Sequence, residues 1–266
     1  MERLSPGRGV IGPQFWDGRA QRYADRLPVE AAAKDPFYRR LRRAVGPRST
    51  VMDVGAGTGR FTINLATRAA EVIAVDPTEV MLDHLRAEAE QRGLTNIRVI
   101  TGAWPDVDLE PVDIAFSSYV LPLIEDAPAF LAALDRVARR RAYVYLGAFS
   151  SDSAADPLWR HFHGGPRKPG PSYLDAVDVL AELGVEADVE VVELVNRTRY
   201  ASLAEAVDDY RDFLVLADEP GVRQDLERIL PSWLVRRNGA LAPPLRYVPA
   251  AVISWPGGSI ESNQGR

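Results

Sequence analysis

The fold class predicted is α/β, doubly wound around a mainly parallel sheet, and three observations predict it. Short, near-continuous apolar runs alternate with longer amphipathic stretches from residue 50 to residue 149. That is the pattern of βαβ units whose strands are covered on both faces. The first run passes through a glycine-spaced turn into a helix, "VMDVGAGTGRF" at 51–61. The 266-residue composition, 46% hydrophobic and 26% charged, suits a soluble chain with room for one large domain and additions.

In order along the chain, residues 1–13 are rich in Gly, Pro and Arg and read as a flexible arm. "FWDGRAQRYADRL" (15–27) reads as a short helix, so that 1–34 form an N-terminal arm and helix. "DPFYRRLRRAV" (35–45) spaces Phe37 and Leu41 as a helix would. "TVMDVG", "EVIAVDP", "IRVITG", "DIAFSSYVL" and "RAYVYLGAF" are five strands. Between them lie the helices "RFTINLATRA", "TEVMLDHLRAEAEQRG" and "DAPAFLAALDRVARR", the second closed by Gly93.

After Phe149 the rhythm changes. Residues 150–172 are polar and rich in Pro and Gly, and a connection of that length reads as a lid-like loop. "YLDAVDVLAELG" is a helix ended by Gly184, and "ADVEVVELVNRTRYA" a long strand. A helical insertion at 203–237, with helices at 203–217 and 222–237, precedes the last strand, "RYVPAAVISWPGG". The principal domain is thus expected over 35–256, with a disordered tail at 257–266.

Charge and composition narrow the partners. A formal net charge of −5 offers no general attraction to nucleic acid or an anionic membrane. The absence of cysteine removes disulfides, thiolate metal sites and a Cys nucleophile together. No apolar run reaches the length that spans a bilayer, and "MERLSPGRGVIGPQFWDG" lacks the apolar core of a secretory signal. The expectation is a cytoplasmic protein with a small-molecule substrate and neither a membrane nor a nucleic-acid partner.

The turn itself is informative. A dinucleotide fingerprint wants its third glycine five residues after the first, where this chain has Arg60. A P-loop wants a lysine that is missing. Asp53 lies two residues before Gly55, where a carboxylate would be repelled by a pyrophosphate and attracted by a cationic ligand. S-adenosylmethionine has no phosphate and carries a sulfonium and an ammonium, so it suits the turn better than NAD.

"VMDVGAGTGRF" resembles the first motif of the class I S-adenosylmethionine-dependent methyltransferase family, small-molecule type, and the stretches after it continue the resemblance over about 35–150. It implies a Rossmann-like, seven-stranded sheet with a helical N-terminal arm and cap insertions, ending in an antiparallel hairpin of "ADVEVVELV" and "RYVPAAVISW". It implies S-adenosylmethionine as cofactor, at a turn made by Asp53, Gly55, Ala56, Gly57 and Gly59. "VIAVDP" would give Asp76 to the ribose hydroxyls, with Pro77 and Met81 beside the adenine and ribose. "VITGAWPDVDL" would place Ala103 and Trp104 at the adenine, and "FSSYVLPL" would place Ser118 near the methionine part. Each has a plainer reading: Asp76 as a helix cap, Met81 as core, Trp104 as a cover on the sheet edge.

Methyl transfer asks mainly for alignment and exclusion of water, and for a base only where the acceptor holds its proton tightly. The candidates beyond the strand ends are Tyr119, and His161 and His163 in "LWRHFHGG", with exposed loop histidines as the plainer reading. No metal is expected. Trp16 and Tyr23 could wall the cofactor site from the N-terminal helix. Helices at 203–237 could form part of the acceptor pocket or a homodimer surface. Alternatives on the same scaffold are non-methyl alkyl transfer or cyclisation releasing methylthioadenosine, and non-catalytic S-adenosylmethionine binding.

Overall fold

The computed structural model describes residues 19–148, 155–167 and 172–260. Seven strands make the central sheet: β1 (Thr50–Val54), β2 (Glu71–Asp76), β3 (Ile97–Thr101), β4 (Val112–Ser118), β5 (Ala138–Gly147), β6 (Asp188–Val195) and β9 (Tyr247–Pro256). Their order is β3-β2-β1-β4-β5-β9-β6. The first five run parallel, and β9 lies antiparallel between β5 and β6. The doubly wound, seven-stranded fold expected from the sequence is therefore the fold observed, and the antiparallel pair is made of the two predicted segments.

Period-two alternation along the strands feeds a core on each face. On one face Met52, Ile73, Val144 and Trp255 pack with α6 (Ala127–Val137) and α8 (Tyr173–Glu182). On the other Val51, Val72, Phe116 and Tyr145 pack with α3 (Pro36–Ala44) and α4 (Thr62–Ala66). Phe37 of α3 is fully buried and meets Phe61 and Phe116 edge-on at 5.3 and 5.7 Å. Such pairs are each worth about 0.5–1.5 kcal/mol beyond burial. The N-terminal arm contributes α1 (Ala20–Arg26), and a four-residue α2 (Val29–Ala32) precedes α3. Between β2 and β3 runs α5 (Glu79–Gln91), closed by Gly93 at φ 65°.

A separate cluster forms the cap. Leu158 of α7 (Asp156–His163), Val207 and Tyr210 of α9 (Leu203–Phe213), and Leu226 and Leu230 of α10 (Pro220–Trp233) pack on one another. Three sequence expectations change here. The lid-like loop 150–172 contains the helix α7, with Pro157 in its first turn, where a missing N–H does no harm; residues 150–154 and 168–171 lie outside the described residues. The helix expected to reach 237 ends at Trp233, and Val235–Arg237 (β7) pairs with Ala240–Ala242 (β8). Asn238 and Gly239 join them at φ 52° and 83°, the two-residue hairpin turn that Asn-Gly favours.

The third change is at the C-terminal end. Residues 257–260, expected in the disordered tail, are held on α6. The buried Asp135 carboxylate accepts from the Trp255 indole N–H at 2.9 Å and from the backbone N–H groups of Ser259 and Ile260 at 3.1 and 3.0 Å. Residues 261–266 lie outside the described residues, as does the arm up to 18, Trp16 included.

Candidate functional site

The turn after β1 is held from β2. The Val75 carbonyl accepts from both the Gly55 and Ala56 N–H groups, at 2.7 and 3.1 Å. Gly55 sits at φ 75°, and a Cβ there would lie 2.1 Å from Val120 Cγ2, so the loop after β4 closes directly onto the turn. Gly59, at φ 84°, presses on Leu85 of α5, which a Cβ would meet at 2.8 Å. Gly57 offers its N–H to Asp76 Oδ2 at 2.9 Å, and Met81 Cε stands 3.3 Å from where a Gly57 Cβ would be. The glycines are therefore a packing requirement as well as a conformational one.

Two carboxylates are buried under this turn. Asp76 ends β2, and its other oxygen accepts from the Thr78 N–H at 2.9 Å at the start of α5. Asp53, on β1, accepts from the Thr62 hydroxyl at 2.6 Å. Burial pushes the Asp53 carboxyl up to about 7, against the Thr62 hydrogen bond and with Asp76 adding repulsion. Burial also raises Asp76, opposed by its bonds from Gly57 and Thr78. Tyr23 of α1 is raised by burial too, within reach of Arg60, Asp76 and Asp53. The N-terminal helix thus brings its phenol near these charged groups.

The rim beyond β4 and β5 is aromatic. Tyr119 has φ 60°, unusual for a side chain of its size, and its N–H donates to the Tyr145 carbonyl at 2.7 Å. The two rings meet edge-on at 5.2 Å. Tyr119 is 41% exposed as a residue, yet desolvation at its hydroxyl pushes the phenol up to about 12, with Asp35 adding to the rise. Tyr145 is fully buried and raised further, again by burial first. Both phenols therefore keep their protons at neutral pH and remain able to donate.

Sequence reasoning missed the ion pair beside them. Asp35 caps α3 by accepting from the Phe37 N–H at 2.8 Å, and its second oxygen takes Arg60 Nη2 at 2.5 Å. Arg60 Nε and the Tyr145 hydroxyl are buried without a hydrogen-bond partner among the described residues. The one available signal was Asp-Pro at 35–36, which marks a helix start but says nothing of a partner 25 residues on.

The other candidates divide. Ala56, Met81 and the half-buried Ser118 line up with the turn, while Pro77 and Ala103 are exposed. Trp104 packs on the α6 face of the core, its indole N–H 3.4 Å from the Phe130 carbonyl, which is the sheet-edge position. His161 and His163 belong to the cap. His163 stacks on Trp159 at 3.9 Å and donates from Nε2 to the Leu214 carbonyl at 2.8 Å; His161 is exposed, edge-on to Phe162 at 4.9 Å. No described contact joins either to the turn, because α7 turns them onto α9 and solvent. Among the described residues no cluster of His, Asp and Glu could hold a metal ion, and no helix is long and apolar enough to cross a membrane.

Comparison with known proteins matches this same half of the sheet. Residues 51–141 match the family described as a methyltransferase domain. The biotin biosynthesis bifunctional protein BioHC of Cellvibrio japonicus is 35% identical over 135 residues, 43% of this chain and 25% of that one. Nocamycin O-methyltransferase of Saccharothrix syringae is 31% identical over 159 residues, 57% of this chain and 54% of that one. The chain thus spans a quarter to about half the length of these relatives. Among solved structures, YcgJ of Bacillus subtilis shares the fold, with a TM-score of 0.56 at 15% identity, over 82% of this chain and 96% of that one.

Proposed function

Since this chain belongs to the class I S-adenosylmethionine-dependent methyltransferases, we propose that it moves the methyl group of that cofactor to an O, N or C atom of a small molecule. The observation that carries the reading is the Asp76 carboxylate, buried at the tip of β2, with Gly57 and Thr78 each on one oxygen. A carboxylate has about four lone-pair sites, so both oxygens keep capacity for the two vicinal ribose hydroxyls. The charges fit the rest of the cofactor. Asp53 and Asp76 are buried carboxylates that a cation relieves, and the cofactor carries two cationic groups. Among the described residues Arg60 Nε and the Tyr145 hydroxyl are buried donors without an acceptor, and the cofactor carries a carboxylate.

When bound, S-adenosylmethionine supplies an electrophilic methyl group on a good leaving group. The residues then have positioning tasks. Tyr119 and Tyr145 keep their protons and orient the acceptor or the cofactor's polar end. Tyr23 covers the turn and keeps water from it. The net charge of −5 supports a small acceptor over nucleic acid.

The test is calorimetry with S-adenosylhomocysteine on the wild-type chain and Asp76→Ala, followed by identification of the co-product in turnover. Saturable binding lost at least tenfold in the variant, with S-adenosylhomocysteine released, is expected. Methylthioadenosine as co-product, or no binding by the wild type, overturns the reading.

A further inference from the structure

Six exposed arginines gather at one edge of the sheet. Arg39, Arg42 and Arg43 stand on α3, Arg48 precedes β1, and Arg139 and Arg140 open β5. None of them has an ion pair among the described residues. β1, β4 and β5 start level with one another, since Val51 pairs with Ile114 and Ile114 with Arg141. Arg48 is thus two strand spacings, about 10 Å, from Arg139 and Arg140. α3 lies over β5, where Phe37 meets the Tyr143 ring at 6.1 Å. Val45, at the end of α3, is buried in one cluster with Val51 and Tyr143.

Tyr143 marks the centre. It is 3% exposed, and its hydroxyl is a donor without an acceptor among the described residues. Burial raises its pKa, and Arg141, Arg40 and Arg140 oppose the rise, so arginines of α3 and β5 face one phenol. The acids of this edge are already engaged. Glu190 pairs with Arg40, Asp188 pairs with Arg141, and Asp113 accepts from the Thr50 N–H. The chain's net charge is −5, so the surface away from this edge is acidic. β1 has five residues, which puts the edge about 17 Å from the glycine turn. That is about twice the screening length at physiological salt.

The form of the charge selects the partner. A nucleic-acid duplex carries a charge about every 1.7 Å along its whole length, so beyond this edge it meets the acidic surface. A single strand asks for aromatic side chains to stack on, and a membrane for apolar side chains to insert. None of the exposed large apolar or aromatic residues stands on α3 or at the start of β5. A guanidinium pairs with a carboxylate through two parallel hydrogen bonds. A carboxylate face of limited size meets the arginines alone.

We propose that this edge docks a compact acidic protein surface, whose carboxylates pair with the arginines of α3, of the connection to β1 and of the start of β5. The contact is electrostatic, quick to form and sensitive to salt. It leaves the glycine turn open at the opposite edge and does not rest on the methyl-transfer reading.

The experiment measures binding to the full chain by fluorescence anisotropy. A labelled glutamate-rich helical peptide of about 16 residues serves as the carboxylate face. Its affinity is expected to fall at least tenfold between about 50 and 200 mM salt. Arg42→Glu with Arg43→Glu, and Arg139→Glu with Arg140→Glu, are each expected to weaken the peptide at least tenfold and to keep the unfolding temperature. Arg236 on β7 and Arg246 before β9 are exposed and away from this edge. Reversing both to Glu makes the same change of charge and is expected to cost less than threefold. No binding by the wild-type chain, or a distant pair as damaging as the edge pairs, overturns the proposal. A DNA duplex or phosphatidylserine vesicles bound more tightly than the peptide overturn it too, and give the edge to nucleic acid or to a membrane.

Discussion

The glycine turn and the cap stand on the same edge of one sheet and are built by different means. Around the turn the chain's backbone sets the geometry. Glycines at positive φ, two buried carboxylates and the Val75 carbonyl are fixed by strands that neighbour one another in space and nearly in sequence. The cap is made of side chains. Its aromatic wall joins residues of α9 and α10 through contacts such as Trp233 on Tyr210, across 23 residues. A site made of backbone tolerates little change and keeps one ligand. A site made of side chains can be recut for a new one, so the two regions differ in how freely they can change.

The sharpest break in that comparison is Gly55→Val. A β-branched residue at φ 75° with a Cβ 2.1 Å from Val120 combines backbone strain with overpacking. Each is worth about 1–3 kcal/mol, so a loss of about 2–6 kcal/mol is expected in urea unfolding. A stability within 1 kcal/mol of wild type would show that the loop after β4 is not packed on the turn.

Asp53 should give the next largest effect, and its sign is unusual for a carboxylate. The folded pKa lies near 7, above the ordinary value of 3.8. The folded protein therefore holds a proton that the unfolded chain has lost over that interval. The contribution is fully present below about 3.8 and is lost as the pH rises through about 7, amounting to at most about 4 kcal/mol. Asp53→Asn should remove this part of the pH dependence in thermal unfolding followed from pH 4 to 8. A cationic ligand beside Asp53 favours its charged form, so the affinity for S-adenosylmethionine should rise with pH over the same window. A slope unchanged by Asp53→Asn would sink the assignment.

What could be read in the sequence follows the same division. Arg60 at the place of a third dinucleotide glycine and Asp53 before Gly55 are local facts, and they pointed to the turn's geometry and sign of charge. The strands were legible because parallel strands covered on both faces are continuously apolar. Asp35 with Arg60, and Tyr145 behind Tyr119, depend on contacts between elements far apart in the chain. His161 and His163 looked like site residues because their loop follows β5. The short helix α7, hidden among prolines and glycines, sets His163 against the end of α9 and leaves His161 exposed. Asn238-Gly239 is a plain hairpin signal, but the helix expected over 222–237 takes in Val235–Arg237, the strand that this turn needs before it.

Within the cap the comparison is sharpened by Tyr200→Phe. It leaves Asp209 without a 2.7 Å hydrogen bond, and bonds to charged groups are worth about 1.5–3 kcal/mol. The loss should stay local, because the cap cluster is separate from the two sheet clusters. Amide hydrogen exchange is expected to quicken in α9 and α10 and to keep its rate in β1, β2 and β4. Equal quickening in the sheet would mean that cap and sheet unfold as one unit.

Gly239→Ala is the smallest and sets the scale for Gly55. Gly239 also has a positive φ, 83°, yet a Cβ there meets nothing within 4 Å. Only the backbone preference remains, about 1 kcal/mol, and the β7–β8 turn should survive it. The pair separates two reasons for a glycine that look alike in sequence. One glycine is required by its own torsion angle alone, and the other also by the chain packed against it. If Gly239→Ala proved as costly as Gly55→Val, packing of the β4 loop would add nothing. The rigidity claimed for the turn would then belong to every left-handed glycine in the molecule.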